Sequence, residues 1–304
     1  MVISPPEPKT VSSESADEEV LATRRRPPLI SRSNSGLYIG GLIIVLVVAA
    51  MVAPSVITPG DPMALDLTAR LLGPGSPNHV LGTDPLGHDV WRLIVYGARP
   101  SVLIALVAVT IGSTIGVTLG LVSGYLGGWI DAAIMRWTDI QLAFPFILLA
   151  LVILSLFGNG VRNMILVLAL GGWMDYARVV RSQVLSAKEQ GFVIAAVAVG
   201  AGTFRVLTRH ILPSVLSSVI VLFTLNLSIN ILFEAALTFL GLGISPETPT
   251  WGGMLSDGQV YLSSAWWIAT FPGLAIMITA LGINILGDWL RDTLDPRLLR
   301  GGRA

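Results

Sequence analysis

Long apolar runs alternate along this chain with shorter polar, turn-rich connections. Six of the runs, at about 37 to 57, 100 to 121, 138 to 157, 163 to 179, 214 to 238 and 266 to 289, approach the roughly 20 mostly apolar residues that a helix needs to cross a bilayer. Each predicts a spanning helix, because in lipid a helix satisfies its own backbone polar groups. In span two and its exit Gly112, Gly116, Gly120 and Gly124 recur every fourth residue, which aligns them on one helix face. Such a stripe lets two membrane helices approach closely; packing inside this chain is the expected use, packing against a partner the alternative. Pro145 removes a backbone hydrogen bond from span three and predicts a kink there. Residues 1 to about 35 are rich in Pro, Ser, Glu and Arg without apolar periodicity, which predicts a mobile tail.

Composition sharpens this picture. The 304 residues are 53% hydrophobic and only 12% charged, where a soluble domain carries about 25% charge, so the chain is an integral membrane protein. Basic flanks stay in the cytoplasm. With the N-terminus inside, fifteen Lys and Arg residues fall on the cytoplasmic side, and only Arg70, Arg92, Arg99 and Arg162 fall outside. Six spans then return the C-terminus to the cytoplasm. Zero net charge gives no strong overall field for nucleic acid, and the absence of cysteine excludes disulfides, thiolate metal sites and thiol nucleophiles. The run Arg24-Arg25-Arg26 before an apolar stretch also resembles a signal-peptide start. That stretch is near full spanning length and no convincing cleavage site follows, so the first span reads as a retained anchor.

The connections hold the candidate sites. Between spans four and five, Ala195-Ala196 gives a helix surface with small side chains. Gly200-Ala201-Gly202 breaks that helix, and a basic segment with Arg205, Arg209 and His210 leads to Pro213. A short helix presented this way suits capture by another protein. Span five carries Asn226, Ser228, Asn230 and Glu234 among apolar residues. A carboxylate at that depth is costly unless compensated, so these residues are candidates for a translocation path; the alternative for Glu234 is to tie down the turn Leu240 to Gly243. The external segment 58 to 99 predicts a loop leading into an interfacial amphipathic helix. Segment 244 to 265 has aromatics and turn formers without a regular pattern.

Catalytic signatures are absent from the sequence. There is no G-x-x-x-x-G-K-[ST] phosphate loop, no G-x-S-x-G elbow and no H-E-x-x-H. His210 falls across the membrane from His79 and His88 under the expected topology, leaving His79, His88 and Asp89 as a weak external metal candidate. No catalytic, metal or cofactor-binding residue is therefore expected in this chain.

Four stretches, in order, carry a family resemblance. Leu81-Gly82-Thr83-Asp84 through Gly97-Ala98-Arg99 resembles the external signature of dipeptide and oligopeptide importer permeases, with His88, Arg92 and Leu93 departing from it. Gly124 to Asp139 is similar to the family's cytoplasmic turn. Phe192 to Pro213 resembles the "EAA" loop, ending in His210-Ile211-Leu212-Pro213, with Ile194, Val197 and His210 as departures. Gly287 to Arg297 resembles the family's tail.

The resemblance implies an all-α, six-helix, type I ABC importer permease with both termini cytoplasmic, in the bacterial cytoplasmic (inner) membrane. It implies a disordered cytoplasmic tail at 1–35, a first helix and external loop at 36–99, and a permease domain at 100–304 with a coupling loop at 180–213. The implied partners are a second homologous permease, two ATP-binding ABC subunits carrying ATP and Mg, an extracytoplasmic solute-binding protein and membrane lipid, without nucleic acid. Short peptides are the expected cargo; longer oligopeptides, nickel chelates, haem and glutathione stay open. An ATP-independent secondary transporter or channel is the alternative function, and a membrane-embedded hydrolase lacks its nucleophile and ligand sets.

Overall fold

A side-chain N-cap opens one of the long helices of the molecule. In a computed structural model, which describes residues 35–245 and 247–294, the Asp89 carboxylate accepts from the Arg92 amide at 2.9 Å. That capping opens a helix from Val90 to Leu126. The tail 1–34 and the end of the C-terminal motif, including Pro296, lie outside the described residues.

The helices used below are α1 (Ser35–Val52), α2 (Val90–Leu126), α3 (Gly128–Leu142), α4 (Phe146–Phe157), α5 (Val161–Ala187), α6 (Gly191–Ala198), α7 (Leu212–Leu237), α8 (Trp251–Gly258) and α9 (Trp267–Leu294). Regular structure among the described residues is helical, with only two isolated bridges, Ser76 to His79 and Thr83 to Asp89, in the loop after α1.

Among the described residues, four helical stretches are long and apolar enough to cross a membrane: α1, α2, the continuous helix Thr203–Leu242 that contains α7, and α9. The pair α3 and α4 makes a fifth if counted together, bent by 86°. The kink expected at Pro145 is thus a full break, since α3 ends at Leu142 and α4 starts at Phe146. The predicted span 163 to 179 lies inside α5, which is 27 residues long but interrupted by Asp175, Arg178 and Arg181.

Two other expectations change. The interfacial helix predicted before span two is the first part of α2 itself, with Val90, Leu93, Val95 and Ala98 buried; Pro100 lies inside the helix without ending it. At about 1.5 Å per residue, the 37 residues of α2 exceed the roughly 30 Å hydrocarbon core, so α2 projects beyond it. The basic segment after Gly202 is likewise continuous with span five. It passes through a wide π-type turn, Val206–Ile211, before α7. A wide turn there relieves the clash that the Pro213 ring and its missing N–H impose on a regular helix.

The glycine stripe of α2 faces α5. A Cβ at Gly112 would lie 3.0 Å from the Ala169 carbonyl oxygen, and at Gly120 2.7 Å from that of Ala177. At Gly116 and Gly124 it would come within 2.7 Å of Tyr176 Cβ and Val184 Cβ. The two backbones therefore pack directly on each other inside this chain. Against α2, α7 adds Ile231 and Ala235, α9 adds Ile268 and Ile276, and α8 adds Trp251 and Met254, all buried in one cluster with Val90, Ala98 and Ala105. Large apolar side chains on α1, α3 and α4, such as Leu46, Trp137 and Phe157, face outward, as a surface in hydrocarbon permits.

Two ion pairs link the helices around the α2–α3 turn. Asp131 at the start of α3 receives Arg181 of α5 in a bidentate bond at 2.5 and 2.6 Å, and Ser123 of α2 at 2.5 Å. Asp139 pairs with Arg178 at 2.6 Å in a more exposed position. Arg181 and Asp131 are 32% and 18% exposed, so solvent screens the pair only in part. A double-mutant cycle of Asp131→Asn with Arg181→Gln, read by thermal unfolding in detergent, should return a coupling of about 1 kcal/mol. The exposed Asp139–Arg178 pair should return less.

Candidate functional site

The predicted docking loop is built as a small platform. Val193 of α6, together with Val206, Ile211 and Val215 of the rising helix, is buried against Val180, Val184 and Ala187 at the end of α5. This anchors one face of α6 and leaves the other free. Ala195 is exposed and Ala196 half-buried; Gly200, Gly202, Arg205, Arg209 and Pro213 are exposed, and Ala201 and His210 are half-buried. The structure brings the nine predicted loop residues into one connected segment at the end of α5.

Helix α6 ends in a paired backbone cap: the Gly200 amide donates to the Val197 carbonyl at 2.9 Å and the Ala201 amide to the Ala196 carbonyl at 3.0 Å. These are the two bonds of a Schellman motif, which needs a left-handed residue at its centre. Gly200 supplies it, with φ at +86° and open space around the position of a Cβ. A glycine is needed there for its positive φ, a conformation that side chains disfavour.

Sequence reasoning missed the apolar knobs on the platform. Val199 is 90% exposed and Phe204 80% exposed, and Phe192, Ile194 and Val197 are exposed beside them. Beside α6 lies a cleft of about 650 Å³ lined by Tyr125, Lys188, Glu189, Val193, Ile194 and Val197. The sequence signal was the apolar run Phe192 to Val199, which exceeds what one buried face of so short a helix can use. The surface that results combines apolar knobs, a cleft and the arginines Arg205 and Arg209.

The four polar residues of span five are all buried on α7, with Ser228 on a different face from Asn226, Asn230 and Glu234. Asn226, Ser228, Asn230 and Glu234 are 8%, 2%, 4% and 0% exposed. Ser228 Oγ donates toward Asn284 Oδ1 at 2.9 Å and the Ala280 carbonyl at 3.2 Å, joining α7 to α9. Asn226 Nδ2 donates to the Leu222 carbonyl at 3.1 Å within its own helix. Glu234 Oε1 accepts from Thr238 Oγ1 at 3.0 Å, while Oε2 has no hydrogen-bond partner. Thr238 in turn sits against Gly243, so Glu234 is connected to the Leu240–Gly243 turn.

The first part of the external signature, Leu81 to Asp89, ties the loop after α1 to α2 and α9. Thr83 Oγ1 donates to the Ala69 carbonyl at 2.5 Å and accepts from the Leu72 amide at 2.8 Å. Trp267 Nε1 donates to the Thr83 carbonyl at 3.0 Å. His88 Nδ1 bonds Asp84 at 2.7 Å and His79 Nδ1 bonds Asp89 at 2.8 Å. The two histidines are thus committed to different aspartates, and among the described residues no group of three or more His, Asp or Glu is placed to hold a metal ion. Nearby, the Thr68 hydroxyl and amide donate to Asp66 and hold its carboxyl below the usual range.

Segment 244 to 265 also contains more order than its sequence suggested. Thr250 caps α8 by accepting from the Gly253 amide at 3.0 Å, and Trp251, Met254 and Gly258 are buried on one face. A threonine cap followed by that spacing was the available signal.

A helical bundle with several stretches long and apolar enough to cross a membrane, and an exposed platform on a connecting loop, defines the class: a multi-pass membrane protein. The family model described as "Binding-protein-dependent transport system inner membrane component" matches residues 116–300. The chain is 41% identical over 295 residues to the dipeptide transport system permease protein DppC of Alkalihalophilus pseudofirmus, covering 96% of each. It is 44% identical over 272 residues to DppC of Escherichia coli K12, covering 88% of this chain and 91% of that one. Over 265 residues it is 41% identical to the glutathione transport system permease protein GsiD of E. coli O6:K15:H31, covering 87% and 86%. The chain belongs to the family of binding-protein-dependent transport system inner membrane components, the permeases of ABC transport systems.

Proposed function

We propose that this chain is one of two permease subunits of an ATP-driven importer. It forms part of the path for short peptides delivered by an extracytoplasmic solute-binding protein, and couples to separate ATPase subunits that bind ATP and Mg. The observation that carries the reading is the platform at α6, which offers exposed apolar knobs and arginines from a base anchored on α5. Its movement would bias the bundle between inward-open and outward-open arrangements, a population shift without covalent chemistry in this chain. Names of relatives that transport dipeptides or glutathione support a peptide-like cargo.

The topology proposed with it has six spans: α1, α2, the α3–α4 pair, α5, α7 and α9, with both termini cytoplasmic. The fifteen-to-four partition of basic residues supports it. The buried polar residues Asn226, Ser228, Asn230 and Glu234 serve the path by fixing α7 in the wall. A secondary transporter built on facing broken helices is less well supported, since one sharply bent pair occurs among the described residues.

Two experiments test this. In this cysteine-free chain, cysteines at Ser35 and Thr203 should resist an impermeant thiol reagent in intact cells, and one at Thr248 should react. Labelling at Thr203 without labelling at Thr248 would overturn the orientation. A tagged chain should also copurify with a subunit carrying a nucleotide phosphate loop, and the pair Val199→Asp and Phe204→Asp should reduce that recovery roughly tenfold or more, as loss of apolar anchors at an interface does. Undiminished recovery would remove Val199 and Phe204, the apolar knobs of the platform, from the interface.

A further inference from the structure

The segment Pro249–Gly253 lies between two helices rather than over them. The Trp251 amide donates to Ser101 Oγ of α2 at 3.2 Å, and the Trp251 indole N–H donates to the Ile94 carbonyl at 2.9 Å. On the other side a Cβ at Gly252 would lie 2.6 Å from the Ala235 carbonyl oxygen and 2.9 Å from Thr238 Cβ of α7. A Cβ at Gly97 of α2 would be 3.4 Å from the Trp251 ring. The start of α8 is therefore gripped from both sides at Trp251 and Gly252.

Both gripping side chains meet at Glu234. Its Oε1 fixes the Thr238 hydroxyl, and with it the side of Thr238 presented to Gly252. Ser101, which receives Trp251, stands beside the same carboxyl. None of the ion pairs among the described residues includes Glu234, so hydrogen bonding and fit hold it. A leucine would satisfy helix packing alone without leaving a buried oxygen unpaired, as Oε2 is. What the carboxyl adds to packing is its bond to Thr238.

We propose that Glu234 is a positioning residue that seats the start of α8, Thr250–Gly253, between α2 and α7. The proposal deepens the importer reading and rests on its topology. It requires the acceptor oxygen of Glu234 rather than its charge, so glutamine should replace it and leucine should not.

The test uses the full chain in native membranes with Met254→Cys, a buried position on α8, and an impermeant thiol reagent. With Glu234 present the cysteine should be protected. Glu234→Leu should raise its labelling rate roughly tenfold, as loss of a buried hydrogen bond allows, while Glu234→Gln should stay near the parent rate. Ser101→Ala, on the other wall of the seat, should also raise labelling and serves if the leucine variant fails to insert. Equal rates in the parent, Glu234→Leu and Ser101→Ala chains would overturn the proposal, as would Glu234→Gln labelling as fast as Glu234→Leu. Thr248→Cys serves as reference: its failure to label overturns the topology, whereas its labelling beside unchanged Met254→Cys overturns only the seat.

Discussion

Gly200→Trp should give a membrane-inserted protein that no longer supports uptake, with ATP hydrolysis by its assembly no longer responding to the loaded binding protein. Gly200 holds the left-handed centre of the cap that ends α6, with φ at +86° and nothing within 4 Å of a Cβ position. The chain has room for a side chain there and objects only to the backbone angle, a penalty of about 1 kcal/mol for a non-glycine residue. Gly200→Ala carries that same penalty without bulk. The comparison separates strain in this chain from obstruction of a docked subunit: alanine should retain much of the uptake, and tryptophan should abolish it at similar membrane abundance. Equal uptake in the two variants would detach Gly200 from the docking surface.

Gly116→Ile should prevent accumulation of a correctly assembled chain. The nearest groups to a Cβ at Gly116 belong to the backbone of Trp173 and to Tyr176 on α5, and backbone cannot swing aside as a flexible side chain can. Overpacking of a close helix contact costs about 1–3 kcal/mol and more where backbones must separate, and membrane helices rely on that contact for association. Gly41→Ile on α1, where nothing lies within 4 Å, is the control and should accumulate normally. Protease resistance of the detergent-solubilised protein would report both; normal resistance in Gly116→Ile would mean that α2 and α5 are not held by this stripe.

Local patterns carried much of the fold into view. The glycine repeat pointed to a close helix pair because a period of four defines a face whatever the partner is. Gly200 announced a helix end because few residues tolerate its backbone angle. What stayed hidden depended on distant residues. Nothing near Asp131 indicates that Arg181, fifty positions later, will bind it in two places. The continuity of α2 through Pro100, and of the basic segment into α7, was obscured because proline and turn residues read as boundaries that tertiary packing can override. Glu234 was visible as an anomaly in an apolar span, yet its relation to Trp251 and Gly252 emerges only when α8 folds back between α2 and α7.

The most direct measurement is uptake by the assembled system in vesicles. The chain would be purified with its copurifying subunits, reconstituted into liposomes with ATP and Mg supplied on the ATPase side, and given a labelled dipeptide with the binding protein on the opposite side. An ATP-driven importer accumulates the dipeptide only with both hydrolysable ATP and the binding protein, and Gly200→Trp should abolish that accumulation. Accumulation driven by an ion gradient in the absence of nucleotide would contradict the importer reading.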